Sequence, residues 1–255
     1  MSSIGYLKRK AWVKGEPKEW SPTVKPVKLS RHFHRELDNL KRDLLHMAAS
    51  AETAVGKSME SVTNRDSDRA REVIIDDITL NRMELDIEEQ AIKLLALRQP
   101  VATDLRLIVA AMRIATELER IGDQAVNIAE RAMELNSRPP LELPIDIRVM
   151  ADMALGMVHT SITAFVNQDP KLAIQVCQRD VEVDILDDEY TQKLLDSMIK
   201  ESRWVIRLHH SIIIVRNLER IADLATNIAE DIVFIVEGRV IKHRCEEWMI
   251  SQPST

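Results

Sequence analysis

Residues 117–132 read ELERIGDQAVNIAERA, and residues 217–232 read NLERIADLATNIAEDI. Aligned over 116–131 and 216–231, ten of sixteen positions are identical. The shared apolar letters alternate in steps of four and three: Ile114, Leu118, Ile121, Ala125, Ile128 and Ala132 in the first copy. Ile214, Leu218, Ile221, Ala225, Ile228, Ile232 and Ile235 repeat the pattern in the second. That spacing keeps one stripe on one side of a helix and predicts a coiled-coil-like seam for long, nearly antiparallel packing.

The prolines limit how far each helix can run, because the ring removes a backbone donor and clashes with the preceding turn. Pro100, Pro139, Pro140, Pro144 and Pro170 leave six helical stretches, about 30–63, 67–98, 101–136, 145–167, 171–200 and 203–237. Ser30 fits an N-cap, Asp169-Pro170 fits a cap followed by the first helical position, and Gly238 fits a left-handed stop. The fold expected is all-α: two pseudo-symmetric, elongated three-helix bundles from an internal duplication. The first bundle is placed at 30–138 and the second at 139–243, with an N-terminal extension at 1–29 and a C-terminal tail at 244–255.

Composition agrees. Of 255 residues, 45% are hydrophobic and 30% charged, with 4% aromatic and six glycines, a balance suited to packed helices. A net charge of −6 disfavours nucleic acid as the main partner, because phosphate neutralisation needs clustered Lys and Arg. Cys177 and Cys245 stand far apart in no metal spacing, and two unpaired thiols in a reducing compartment are expected. No apolar run approaches the roughly 18–20 residues of a membrane span. The longest candidate, 209–238, is interrupted by Arg216, Glu219, Arg220, Asp223, Glu230 and Asp231. The first 28 residues hold no signal-peptide core. The expected location is the cytoplasm.

The polar letters of the duplicated stretch carry the second message. Glu119, Asp123, Asn127 and Glu130 lie away from the seam, and Glu219, Asp223, Asn227 and Glu230 repeat them. A solvated helix face would account for one such row. Like charges four residues apart repel by a few tenths of a kcal/mol, however, and no lysine relieves the row. Asp77, Asn81, Glu84 and Glu88 form another row on the second helix. Folding at Pro100 sets Asp77 level with Asp123, each 23 residues from the turn, and Asn81 level with Glu119. A turn near 201–202 does the same for Asp180 with Asp223 and for Asp184 with Glu219. Asp187 extends the second row.

Facing rows of carboxylate and amide oxygens suit a hard or borderline cation: Mg, Ca, Mn or Fe, with Zn as a further candidate. A ferritin-like di-iron centre would need Glu-x-x-His pairs, and this chain has none. Nor does it carry a Gly-rich phosphate loop, a nucleophile elbow or a CxxC pair. An enzyme is not expected. Of the segment 1–29, with Lys8, Arg9, Lys10, Lys14, Lys18, Lys25 and Lys28 against Glu16 and Glu19, three readings stand. It is a flexible or extended basic arm, an arm that docks on a dimer partner or another protein, or a contact for an anionic membrane surface.

The run LLALRQPVATDLRLIVAAMRIATELERIGDQAVNIAERA at 94–132, with RNLERIADLATNIAED at 216–231, closely resembles the PhoU family of phosphate-transport regulators. The likeness extends over roughly 30–243. It implies two pseudo-symmetric three-helix bundles and a homodimer. It further implies negative regulation of phosphate uptake and phosphate-starvation signalling. The partners implied are the ATPase subunit of the phosphate ABC transporter and a sensor histidine kinase. Some family members bind multinuclear iron or zinc clusters at paired (Glu/Asp)-x-x-x-Asp motifs. Those motifs fall here on Glu119 and Asp123, Glu219 and Asp223, Asp180 and Asp184, and Asp77 with Asn81, where the amide departs from a carboxylate pair. An alternative is that the bound metal is itself the function, in storage or metal-dependent chemistry. Asp104 and Arg106, in a QPxAxDLR turn that the second half lacks, are a helix-start cap or a partner-contact patch.

Overall fold

The computed structural model describes residues 31–98, 100 and 102–239. Six long helices follow in order: α1 (Arg31–Thr63), α2 (Ser67–Arg98), α3 (Ala102–Asn136), α4 (Ile147–Asn167), α5 (Pro170–Lys200) and α6 (Val205–Glu237). A 3₁₀ turn, Ser202–Trp204, precedes α6, so this helix starts two residues later than its pattern suggests. The local signals act as expected at the ends. Asp169 accepts from the Lys171 amide with Pro170 in the first turn, and Gly238 ends α6 at φ 70°. Asp146 caps α4 through the Arg148 amide. Ser30 lies outside the described residues.

Helices α1, α2 and α3 pack as one three-helix bundle, and α4, α5 and α6 as another. Both seams are fully inside: Ile114, Leu118, Ile121, Ala125 and Ile128 are inaccessible, as are Ile214, Leu218, Ile221, Ala225 and Ile228. The hairpins hold the expected register: Thr116 reaches Glu84 at 2.9 Å between α2 and α3, and Arg216 reaches Asp187 at 2.7 Å between α5 and α6. Lys57 reaches Asp76 at 2.9 Å and Gln90 reaches Asp43 at 2.9 Å between α1 and α2.

The bundles meet along α3 and α6. Arg113 pairs with Asp231 at 3.1 Å and lies 5.4 Å over the Phe234 ring. The Asn227 amide donates to Glu117 at 3.5 Å. Each pair is equidistant from Gly122 on α3 and Ala222 on α6, which occupy the same place in the two copies. The helices are therefore antiparallel about a pseudo-two-fold at the middle of the repeat. Arg106 closes one end by donating from Nε to the Ile235 carbonyl at 3.0 Å. A cation there also suits the negative end of α6.

Two expectations are corrected. Helix α4 is long and apolar enough, by length and composition, to cross a membrane. Its only charges are Arg148 and Asp152, near the start. Half of its most apolar stretch is buried in the bundle, Met150, Ala154, Met157 and Val158 among it. Nor is Cys177 an unpaired thiol: it is disulfide-bonded and buried. Tertiary folding can join cysteines whose spacing carries no motif. Cys245, the chain's other cysteine, lies outside the described residues.

Gly122 decides how closely α2 approaches α3. A Cβ there would lie 2.2 Å from Leu80 Cδ2 and 3.4 Å from Asp77 Oδ1. The corresponding positions of the second half hold Ala222 and Val183, so one methylene has changed sides. We predict that Gly122→Ala costs about 1–3 kcal/mol by overpacking buried Leu80, less the roughly 1 kcal/mol that alanine gains over glycine in a helix. Adding Leu80→Val should recover most of the loss. Denaturant unfolding of the single and double variants checks both.

Candidate functional site

The first acidic site lies between α2 and α3. Asn81 donates from its amide to Asp77 Oδ2 at 3.0 Å. Glu84 accepts from the Thr116 hydroxyl at 2.9 Å. Burial, then the charges of Asp123, Glu84 and Asp77, push the Glu119 carboxyl up to about 7. Burial and the charge of Asp123 raise Asp77, against the Asn81 hydrogen bond. The row predicted from hairpin register thus comes together across the two helices. Asp77 Oδ1 and Asn81 Oδ1 are buried with no hydrogen-bond partner.

The second site lies between α5 and α6. Burial, then Asp223, Asp184 and Glu219, push Asp180 up to about 7. Burial, then Asp223, Asp187 and Asp184, do the same for Glu219. Asp223 is raised by burial and by Asp184, while Arg120 and Arg220 oppose the rise. Arg120 belongs to the first copy of the repeat, so a guanidinium from one half acts on the carboxylates of the other. It is held by Glu117 at 2.9 Å.

The lesser candidates have separate fates. Asp187 is 3% exposed and paired with Arg216 at 2.7 Å. Asn127 is exposed on α3. Asn227 faces Glu117 across the bundle interface and does not join the α5 row. Glu230 is buried, whereas its counterpart Glu130 is exposed and paired with Arg131. The expectation that both polar rows face outward along their whole length therefore fails at the α3–α6 contact. Asp104 stands in the first turn of α3, and Arg106 is bonded to α6.

Pattern reading had singled out neither Arg120, Arg216 nor Thr116. A signal for the last two was present. Thr116–Glu84 and Arg216–Asp187 occupy equivalent register positions in the two hairpins. Where the second half gains a carboxylate at Asp184 in place of Asn81, it also gains Arg216 in place of Thr116. The added carboxylate is thus accompanied by an added guanidinium.

The donors are oxygens throughout, two of them buried and unbonded, which fits a hard cation. Among the described residues, no three His, Cys, Asp or Glu side chains stand around a common point as a ready metal cage. The carboxylates stand side by side, so a bound ion would draw them together and offset their repulsion.

Fold and site together define a class: an internally duplicated pair of three-helix bundles with a carboxylate-rich row between two helices of each. The PhoU domain profile matches residues 44–132 and again 147–232, and the chain belongs to the PhoU family. A phosphate-specific transport system accessory protein PhoU homolog of Aquifex aeolicus is 37% identical over 210 residues, 82% of this chain and 95% of that protein. The crystal structure of PhoU from Pseudomonas aeruginosa superposes with a TM-score of 0.78 at 35% identity, over 81% of this chain and all of that one. The phosphate transport system regulatory protein PhoU from Streptococcus pneumoniae gives 0.76 at 25% identity, over 82% and 98%.

A carboxyl whose folded-state pKa lies above its unfolded value binds its proton more tightly in the native state. Stability from that proton is present below the unfolded value and lost as pH rises through the folded one. For Glu219 the window runs from 4.5 to about 7. In chelator, Glu219→Gln should therefore gain thermal stability over the parent as pH rises through that range. A constant difference between the two melting temperatures would contradict the assignment.

Proposed function

We propose that the protein is a negative regulator of phosphate uptake and phosphate-starvation signalling. It acts as a cytoplasmic, homodimeric, non-enzymatic adaptor between the ATPase subunit of the phosphate ABC transporter and a sensor histidine kinase. The observation that carries this reading is the doubled acidic row on a duplicated fold whose relatives are named accessory and regulatory proteins of phosphate transport. The same reading divides the chain into the arm 1–29, bundles at 30–138 and 139–243, and the tail 244–255. Asp104 and Arg106 sit where a partner could read the α2–α3 turn, although Arg106 already serves α6.

Within that role, Fe, Zn, Mn or Mg would be held by Asp77, Asn81, Glu119 and Asp123 in one half. In the other, Asp180, Asp184, Glu219 and Asp223 would hold it. The chemistry supplied is charge neutralisation between helices that otherwise repel. A second reading, in which the metal is itself the function, is favoured by the buried, unbonded oxygens of Asp77 and Asn81.

Deletion of the gene should derepress phosphate-starvation genes in phosphate-rich medium; unchanged transcript levels there would sink the regulatory reading. Elemental analysis of protein purified without chelators should find metal, and Glu219→Gln with Asp223→Asn should empty the second site. Metal retained in that double variant would refute the ligand assignment. A double variant that still represses while lacking metal would separate regulation from the cation.

A further inference from the structure

The outer face of α2, turned away from its bundle, carries an uncovered apolar stripe. Ile75, Ile78, Leu85 and Ile92 are 67%, 56%, 62% and 50% exposed, and Leu97 extends the apolar surface at the end. Their steps of three and seven keep the first four on one side of the helix. Ile78, Leu85 and Ile92 thus repeat a heptad spacing with nothing packed on it among the described residues. Exposed acidic side chains border it, Asp86, Glu88 and Glu89 among them. A single uncovered row of this kind is on the order of 500 Å², near the top of what a monomer usually shows. A stable partner interface needs about 800 Å² on each side.

We propose that this stripe is covered by the chain's own N-terminal segment, residues 4–28. Charge complementarity is the first argument. Residues 1–29 hold seven of the chain's 35 Lys and Arg but two of its 41 acidic residues. Helix α2 carries eight acidic against five basic side chains. The segment also brings apolar groups to set against the stripe: Ile4, Tyr6, Leu7, Trp12, Val13, Trp20 and Val24.

Position is the second argument. Glu36 and Asn39, near the start of α1, share a cleft of about 220 Å³ with Gln90, Lys93, Leu94 and Leu97. The segment therefore leaves α1 beside the end of α2 where Ile92 and Leu97 lie. From Ile92 back to Ile75 the stripe is about 26 Å long at 1.5 Å per residue. An extended segment of this length reaches roughly 90 Å. Pro17, Pro22 and Pro26 favour an extended backbone over a helix. Helix α5 carries a comparable row, Val181, Ile185, Leu195 and Ile199, but it belongs to the other bundle, away from the segment's root.

The test uses the full chain with a photo-reactive p-benzoylphenylalanine at Leu85 or at Ile92. Irradiation should join these positions to residues 4–28 within one chain, in a product of monomer mass. Adducts that link two chains, or adducts that avoid 4–28, would overturn the proposal. Limited trypsin digestion gives an independent reading. In Ile78→Gln with Leu85→Gln, cuts at Lys8 to Lys28 should run about tenfold faster than in the parent, because cleavage follows the open population. Equal rates, with the helices intact by circular dichroism, would overturn it as well.

Discussion

The antiparallel contact of α3 with α6 sets the terms for the remaining helices. Each contributes nearly the same sequence, and the register centres on equivalent residues, Gly122 and Ala222. A helix packed on three sides must place its small and branched apolar residues on all of them. Here Ala111, Ala115, Ala125 and Ala129 let neighbours approach, while Ile114, Leu118, Ile121 and Ile128 fill the space between them. What is left for polar groups is the surface between the borders with α2 and with α6, and the carboxylates of the row lie at the α2 border. The acidic row keeps to that border, and its copy keeps to the border with α5. Its carboxylates are thus partly desolvated by the same packing that forms the core.

The duplication has drifted in a compensated way. A methylene moved from Leu80 to the position of Ala222, leaving Val183 behind, and the total volume stayed constant. A carboxylate appeared at Asp184 together with a guanidinium at Arg216, so the added charge is balanced. Close packing explains the first constraint. The second reflects the cost of another unbalanced charge in a partly buried row. The shared motif hides one asymmetry. Arg120 pairs with Glu117, whereas the second copy has Asn217, buried and bonded to its own helix.

Much of this was legible before any coordinates, and the reasons differ by element. Helix limits followed from proline and cap chemistry at Asp169, Pro170 and Gly238. The facing of Asp77 with Asp123, and of Asp180 with Asp223, followed because a short turn leaves an antiparallel hairpin little freedom of register. The contact between bundles was not legible, since no turn joins α3 to α6. Asn227 was consequently read as an outward group when it faces the other bundle, and Glu230 when it is buried. The roles of Arg113 and Arg120 were not legible for the same reason. Helix α4 escaped notice as an apolar segment because Arg148 and Asp152 interrupt its start while leaving its average high. The state of Cys177 could not be read from spacing at all.

Arg106 finds its acceptor at Ile235, 129 residues later. During synthesis α3 emerges well before α6, so the side of α3 that α6 will cover has no partner until the last helix leaves the ribosome. The first bundle can form early, but it does so with one wall open. A nascent chain of this design carries that surface uncovered while about a hundred further residues are made. The closing contact between the two ends of the repeat is therefore also the moment at which that surface disappears.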